Sequence, residues 1–219
     1  MRTVIEHENE ISIPVGRARL GGNLEVPEHS RGIVIFAHGS GSSRYSPRNK
    51  FVASVLREGG LATLLFDLLS EEEEMIDLQT TRLRFDIALL AERLLVAMEW
   101  LGKIPATREL RIGLFGSSTG AGAALLVAAA EPERVKAVVA RGGCPDLAGS
   151  SLREVRAPVL LIVGGNDVPV LELNKQALSQ MSGETKLEIV PRATHLFEEP
   201  GALEEVSRLA TEWFQSHLG

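Results

Sequence analysis

The chain has 219 residues, 44% of them hydrophobic, which is enough for one domain with a sizeable core. Its 29 acidic and 23 basic residues leave a formal charge of −6 with no block rich in Lys or Arg, which argues against nucleic acid or an anionic membrane as a general partner. The lone cysteine, Cys144, excludes an intrachain disulfide, and the start MRTVIEHENE lacks the basic-then-apolar pattern of a secretory signal, so a soluble, cytoplasmic protein is expected.

In chain order, Val4 to Ile13 and Ala18 to Val26 are expected as an antiparallel edge pair joined through Pro14-Val15-Gly16. From Gly32 onward, short apolar runs alternate with segments of helical period. The predicted strands are Ile33 to Ala37, Ala62 to Asp67, Arg111 to Phe115, Val135 to Ala140, Val159 to Val163 and Leu187 to Val190, mostly apolar without interruption, as strands covered on both faces should be. The clearest helix runs from about Leu83 to Leu101, with Leu83, Ile87, Leu90, Leu94, Met98 and Leu101 on one stripe; Leu203 to Leu218 repeats the pattern. Alternation of this kind predicts a mostly parallel sheet with helices on both faces, in one domain over residues 1–219. Two stretches depart from it. "HGSGSSRYSPRN" is expected to stay irregular until a helix begins near Pro47, and "SEEEEMIDLQTTR" reads as a charged connection whose four glutamates are solvated rather than metal-binding.

The stretch "LFGSSTGAGAALLVAAA" carries chemistry. Gly116 to Gly120 fits G-x-S-x-G, with a strand before it and an alanine-rich helix after it, so Ser118 sits where a strand turns sharply into a helix. A serine hydroxyl becomes a nucleophile only when a base takes its proton. Downstream, "VLLIV" leads into Gly164-Gly165-Asn166-Asp167, and "LEIV" leads into "PRATHLF"; Asp167 and His195 thus fall in loops at the carboxyl ends of strands, in the order Ser, Asp, His. A plain glycine-rich turn at Ser118 and a merely hydrogen-bonded loop histidine at His195 are the structural alternatives. Developing negative charge needs two amide donors, assigned to the backbone of Thr119, after the serine, and of Ser40, in His38-Gly39-Ser40-Gly41. His38 then shapes its loop, Ser117 packs beneath the turn, Cys144 is a small apolar residue, and His7, His29 and His217 are solvated.

Taken together, "FAHGSG", "FGSSTGAG", "GGND" and "ATHLF" resemble the α/β-hydrolase fold, in its short form similar to the dienelactone-hydrolase-like group. That resemblance implies an eight-stranded, mostly parallel sheet without a cap domain, a catalytic triad of Ser118, Asp167 and His195, and no cofactor or metal. Dienelactone hydrolases proper use a cysteine where this chain has Ser118, a glycine often found three residues before the histidine is Arg192 here, and some members of the superfamily carry the acid one strand earlier, which makes Asp146 in "RGGCPD" a second candidate acid. Members of this group can also be joined to a phosphoribosyltransferase domain, and no stretch of this sequence reads as one.

The expected activity is hydrolysis of a small ester or related carbonyl compound through an acyl-enzyme on Ser118. The alternatives are a non-catalytic ligand- or partner-binding module on the same fold, and an acyltransferase using the same residues. Arg141, at the end of the run "VKAVVA", is a candidate contact for a substrate carboxylate or phosphate, as are Arg44 and Arg48 in the loop after Ser40. The alternative for each is an ion pair with a surface acid.

Overall fold

The computed structural model describes residues 9–219; residues 4–8 of the first expected strand, with His7, lie outside the described residues. Eight strands form one sheet in the order β1-β2-β4-β3-β5-β6-β7-β8. β1 (Asn9–Val15) and β2 (Ala18–Glu25) pair antiparallel, and β2 pairs antiparallel with β4 (Ala62–Phe66). β3 (Gly32–Ala37), β4, β5 (Arg111–Ser117), β6 (Val135–Arg141), β7 (Val159–Gly164) and β8 (Thr185–Val190) run parallel. This is an α/β-hydrolase fold without a cap domain among the described residues.

Each central strand feeds two cores because successive side chains point to opposite faces. Ile33, Ile35 and Ala37 of β3 enter one core, with Leu64, Leu114 and Val138; Val34 and Phe36 enter the other, with Phe115, Val139 and Ile162. The first core is closed by α3 (Ile87–Leu101) and α4 (Thr119–Ala130), the second by α1 (Pro47–Glu58) and α6 (Ala202–Leu218). α5 (Val168–Leu178) follows β7, and a 3-10 segment (Pro145–Glu154) follows β6. No helix among the described residues is long and apolar enough to cross a membrane.

β3 has β4 on one side and β5 on the other, so the chain reverses its direction of travel across the sheet between β3 and β5. In open α/β sheets a crevice opens at such a reversal, beyond the carboxyl ends of the strands. The loop 38–46 and the Ser118 turn both leave the sheet there.

One expectation is corrected. The acidic stretch after β4 is a helix, α2 (Glu71–Thr80), and not an irregular connection. Its apolar residues are turned outward: Met75, Ile76 and Leu78 are exposed, while Asp77 is the buried side chain. A reading by hydrophobic period therefore finds no stripe. The helix is secured by polar contacts instead. Ser70 Oγ accepts from the Glu73 amide at 3.2 Å, and Glu73 Oε2 accepts from the Ser70 amide at 2.8 Å, a reciprocal capping box with four glutamates in the dipole-favoured first turn. At the other end Asp77 accepts from the Leu83 and Arg84 amides at 2.8 and 3.1 Å. Burial alone would raise the Asp77 carboxyl, but these bonds and the Arg84 guanidinium hold it below the usual carboxylate range. We expect Ser70→Ala to cost about 1 kcal/mol, read as a lower urea midpoint with faster amide exchange confined to the first turn of α2.

The helix expected from Leu83 is also split. A 3-10 turn at Leu83–Phe85 precedes α3, whose true N-cap is Asp86, accepting from the Leu89 amide at 3.0 Å. The irregular loop after β3 ends where expected, at Ser46-Pro47, with the Ser46 hydroxyl accepting from the Asn49 amide.

Candidate active site

Ser118 stands between β5 and α4 with φ 50° and ψ −120°, a conformation that costs a non-glycine residue on the order of 1–3 kcal/mol. The surroundings force it. A Cβ on Gly116 would lie 2.4 Å from Ala121 Cα, and one on Gly120 would lie 2.2 Å from the Ala37 carbonyl oxygen, so the turn presses directly against the end of β3. The Ser118 amide donates to the Arg141 carbonyl at 3.3 Å, and its carbonyl accepts from the Ala121 and Cys144 amides, both at 3.1 Å. We expect Gly120→Ala to destabilise the fold by about 3 kcal/mol, because the atom in the way is backbone and cannot rotate aside. Denaturant midpoints of the variant and of a control substitution in the exposed part of α6 measure this.

Two further loops bring an acid and a base together. Asn166 ties them: its amide donates to the Ala193 carbonyl at 2.9 Å and its side chain to the Arg192 carbonyl at 2.9 Å. His195 Nδ1 then lies 2.7 Å from Asp167 Oδ2. A carboxylate only accepts, so Nδ1 carries the proton and Nε2 of the neutral ring keeps its lone pair. Asp146, the second candidate acid, is exposed on the 3-10 segment, and it is Asp167 that meets the imidazole.

His38 is occupied at both nitrogens: Nδ1 donates to the Gly39 carbonyl at 3.0 Å, and Nε2 accepts from the Leu68 amide at 3.1 Å. Burial pushes its pKa below the usual value. It fastens the loop after β3 to the end of β4 and has no free lone pair to serve as a base. Within that loop the Ser40 amide donates to Thr119 Oγ1 at 3.0 Å, which ties together the two residues expected to supply the amide donors.

Ser40, Ser118, His195, Arg48 and Arg141 line one cavity of about 250 Å³, together with Ser42, Ser46, Asn49 and Ser117. Arg44 does not join them. Its guanidinium is bound to Asp67, to Glu10 at 2.9 Å and to the Tyr45 hydroxyl, and it faces a different hollow beside β1 and β2. As a substrate contact it is therefore corrected to an ion pair that anchors the loop after β3 to the edge of the sheet. Among the described residues the Ser118 hydroxyl makes no hydrogen bond with His195, whose Nδ1 side is taken by Asp167.

The dienelactone hydrolase family model matches residues 18–218. The chain belongs to that family. A crystal structure of a dienelactone hydrolase from Anabaena variabilis is 60% identical, with a TM-score of 0.94 over 96% of this chain and 97% of that one. Est1E from Butyrivibrio proteoclasticus shares the fold at a TM-score of 0.79 and 18% identity, over 94% of this chain and 98% of its own. Among curated proteins, the Mycobacterium tuberculosis protein named "Putative phosphoribosyl transferase" is 56% identical over 211 residues, 96% of this chain. The chain spans 47% of that relative's length.

Two departures within the dienelactone hydrolase family take physical form here. Cys144 lies off the turn that carries Ser118, and burial, followed by the Asp146 charge, pushes its thiol pKa up, away from a thiolate. Arg192, where the resemblance leads to a glycine, adopts a left-handed φ of 63° without one. Asn166 and Asn49 escaped the sequence reading. Asn166 sits in the acid's own loop, one residue before Asp167; Asn49 is buried on α1 and accepts from the Ser117 hydroxyl at 3.4 Å, and a polar residue on an otherwise core-facing helix stripe is the signal that could have found it.

Proposed function

We propose that this hydrolase cleaves a carboxylic ester or related carbonyl compound by two-step acyl transfer through Ser118. The observation that carries the reading is the strained Ser118 turn opening on a cavity shared with His195, whose Nδ1–H is held by Asp167. On substrate binding the Ser118 hydroxyl turns toward His195 Nε2, in keeping with catalytic hydrogen bonds that form only in the complex. Oγ attacks the carbonyl carbon as its proton passes to Nε2, and Asp167 stabilises the imidazolium. The carbonyl oxygen becomes an oxyanion and replaces the Thr119 hydroxyl as acceptor for the Ser40 amide, with the Thr119 amide at the start of α4 as the second donor. The tetrahedral adduct collapses, the C–O bond to the leaving alcohol breaks, and His195 returns the proton to that alcohol. Water then attacks the acyl-enzyme, giving its proton to His195, and the acid departs as Ser118 is regenerated.

The substrate is a small, soluble molecule, in keeping with a modest cavity without a cap. An acyltransferase would differ only in the acceptor of the second step. For the longer mycobacterial relatives we place the named phosphoribosyl transfer in the half of their chain that this protein does not match.

The test is reaction of the folded protein with a fluorophosphonate probe, with mass spectrometry of the modified peptide. Label on Ser118 and turnover of p-nitrophenyl acetate are expected. A folded sample that neither takes the label nor hydrolyses short esters would overturn the reading in favour of a binding module.

A further inference from the structure

The cavity beside Ser118 contains more positive charge than hydrolysis of a neutral ester uses. Arg141 ends β6 and is only 7% exposed, yet its Nε and Nη1 are buried with no hydrogen-bond partner. Its guanidinium carbon stands 5.8 Å from the centroid of the Phe197 ring, which supports it from the side without neutralising it. Arg93, 6% exposed, makes the contrast: its Nε is also unpartnered, but its two terminal nitrogens end on Glu73 at 2.7 Å and Glu92 at 3.3 Å. Among the described residues no carboxylate lines the cavity that Arg141 faces. Its other cation, Arg48, sits close enough to repel Arg141, and among the described residues its one carboxylate partner is Glu198 at 3.2 Å, outside the cavity lining. A buried cation held beside a second one, with no acid supplied, is a costly arrangement that a ligand carrying negative charge would relieve. Burial and then Arg48 push the Arg141 pKa down to about 10, so it remains charged at neutral pH.

Most of the remaining side chains that line the cavity are polar, Leu196 being the exception. Ser42 and Ser46 bring hydroxyls, Asn49 an amide, and the whole surrounds the space next to Ser118 and His195. One carboxylate has two oxygens and would be satisfied by a single guanidinium fork. A phosphate monoester offers three terminal oxygens and a charge near −2, which uses two guanidiniums from different elements and a hydroxyl besides.

Resting on the hydrolase reading above, we propose that the cavity takes an ester whose acyl or alcohol portion bears a phosphate group, seated on Arg141 and Arg48. The phosphate is an anchor and does not react. It fixes the carbonyl against Ser118, so that charge at one end of the substrate orients the bond broken at the other.

Inorganic phosphate is the first probe, titrated calorimetrically into the wild type, Ser118→Ala, Arg141→Met and Arg48→Met. Binding to the first two, weakened at least tenfold in each arginine variant, is expected. The second measurement compares kcat/KM for p-nitrophenyl esters of a phosphonate-terminated acid, a carboxylate-terminated acid of the same length, and the neutral alkyl acid. The phosphonate ester should exceed the neutral one by at least tenfold, and Arg141→Met should bring that ratio close to one. Arg141→Lys, which keeps charge but loses the fork, serves if the methionine variant does not fold, and should retain part of the preference.

A carboxylate ester preferred over the phosphonate would overturn the phosphate assignment. Equal turnover of all three esters, with no phosphate binding by the wild type, would overturn the anion site and leave the hydrolase reading standing. The reverse failure is separable: phosphate binding that needs Arg141, in a protein that neither labels at Ser118 nor turns over any ester, would keep the anion site and refute the hydrolase.

Discussion

Ser118→Ala is expected to lower kcat for an activated ester by a factor on the order of 10⁶ while the protein stays folded. The loss is that large because the remaining groups have nothing to act on: His195 can still accept a proton and the Ser40 and Thr119 amides can still receive an oxyanion, but no covalent acyl intermediate forms. Folding should survive because Ser118 occupies a turn and contributes no packing to either core. A sharper form of the experiment uses Ser118→Gly. The residue is held at φ 50° and ψ −120°, where a Cβ is unfavourable, so glycine should raise the denaturation midpoint while abolishing turnover equally. A variant more stable than the wild type and inactive would mean that the strain is retained for chemistry. An alanine variant that kept most of its activity would remove Ser118 from the mechanism.

Asp167→Asn is expected to cost about 10⁴ in kcat with little change in structure. The carboxylate accepts the Nδ1 proton of His195 at 2.7 Å and thereby leaves Nε2 free to take the serine proton. An asparagine amide can present its NH₂ to Nδ1 instead, which moves the ring proton to Nε2 and removes the base. The carboxylate is also what stabilises the imidazolium formed in the first step. The pH profile separates this from a packing defect: loss of the acid should remove the neutral-pH plateau and leave residual activity rising with hydroxide. Asp146→Asn is the control. That residue is exposed and does not meet His195, so its rate should stay within about twofold of wild type. A loss as large as that of Asp167→Asn would move the acid one strand earlier.

The candidate site mixes residues of two kinds of legibility. Ser118 and Asp167 announce themselves because each follows an apolar run that forms a buried strand, and His195 because it follows the short, partly exposed edge strand β8; all three stand among small or turn-forming residues. Arg141 is visible for the same reason, as a cation at the end of β6. Arg44 and Arg48 look alike in sequence, four residues apart in one loop. They diverge only in space: Arg44 meets Asp67 from the end of β4 and Glu10 from β1, whereas Arg48, at the start of α1, turns into the cavity. Neither acid is near Arg44 in the chain, and no local pattern indicates the pairing.

What the sequence determined by itself is the sheet with its covering helices, the turn at Ser118, and the order of acid and histidine, because these follow from periodicity, glycine sterics and the positions of strand ends, all of which act over a few residues. Tertiary structure alone decided the rest. It buried Asp77 on the helix after β4, whereas the capping box that starts that helix is a local Ser70-to-Glu73 pattern which a reading by apolar period passes over. It also left Arg141 buried with no counter-ion among the described residues while giving Arg44 two. Charge compensation acts through space over distances of a few ångströms, between groups that the chain keeps tens of residues apart, and only the folded arrangement determines which cations are satisfied and which remain for a ligand.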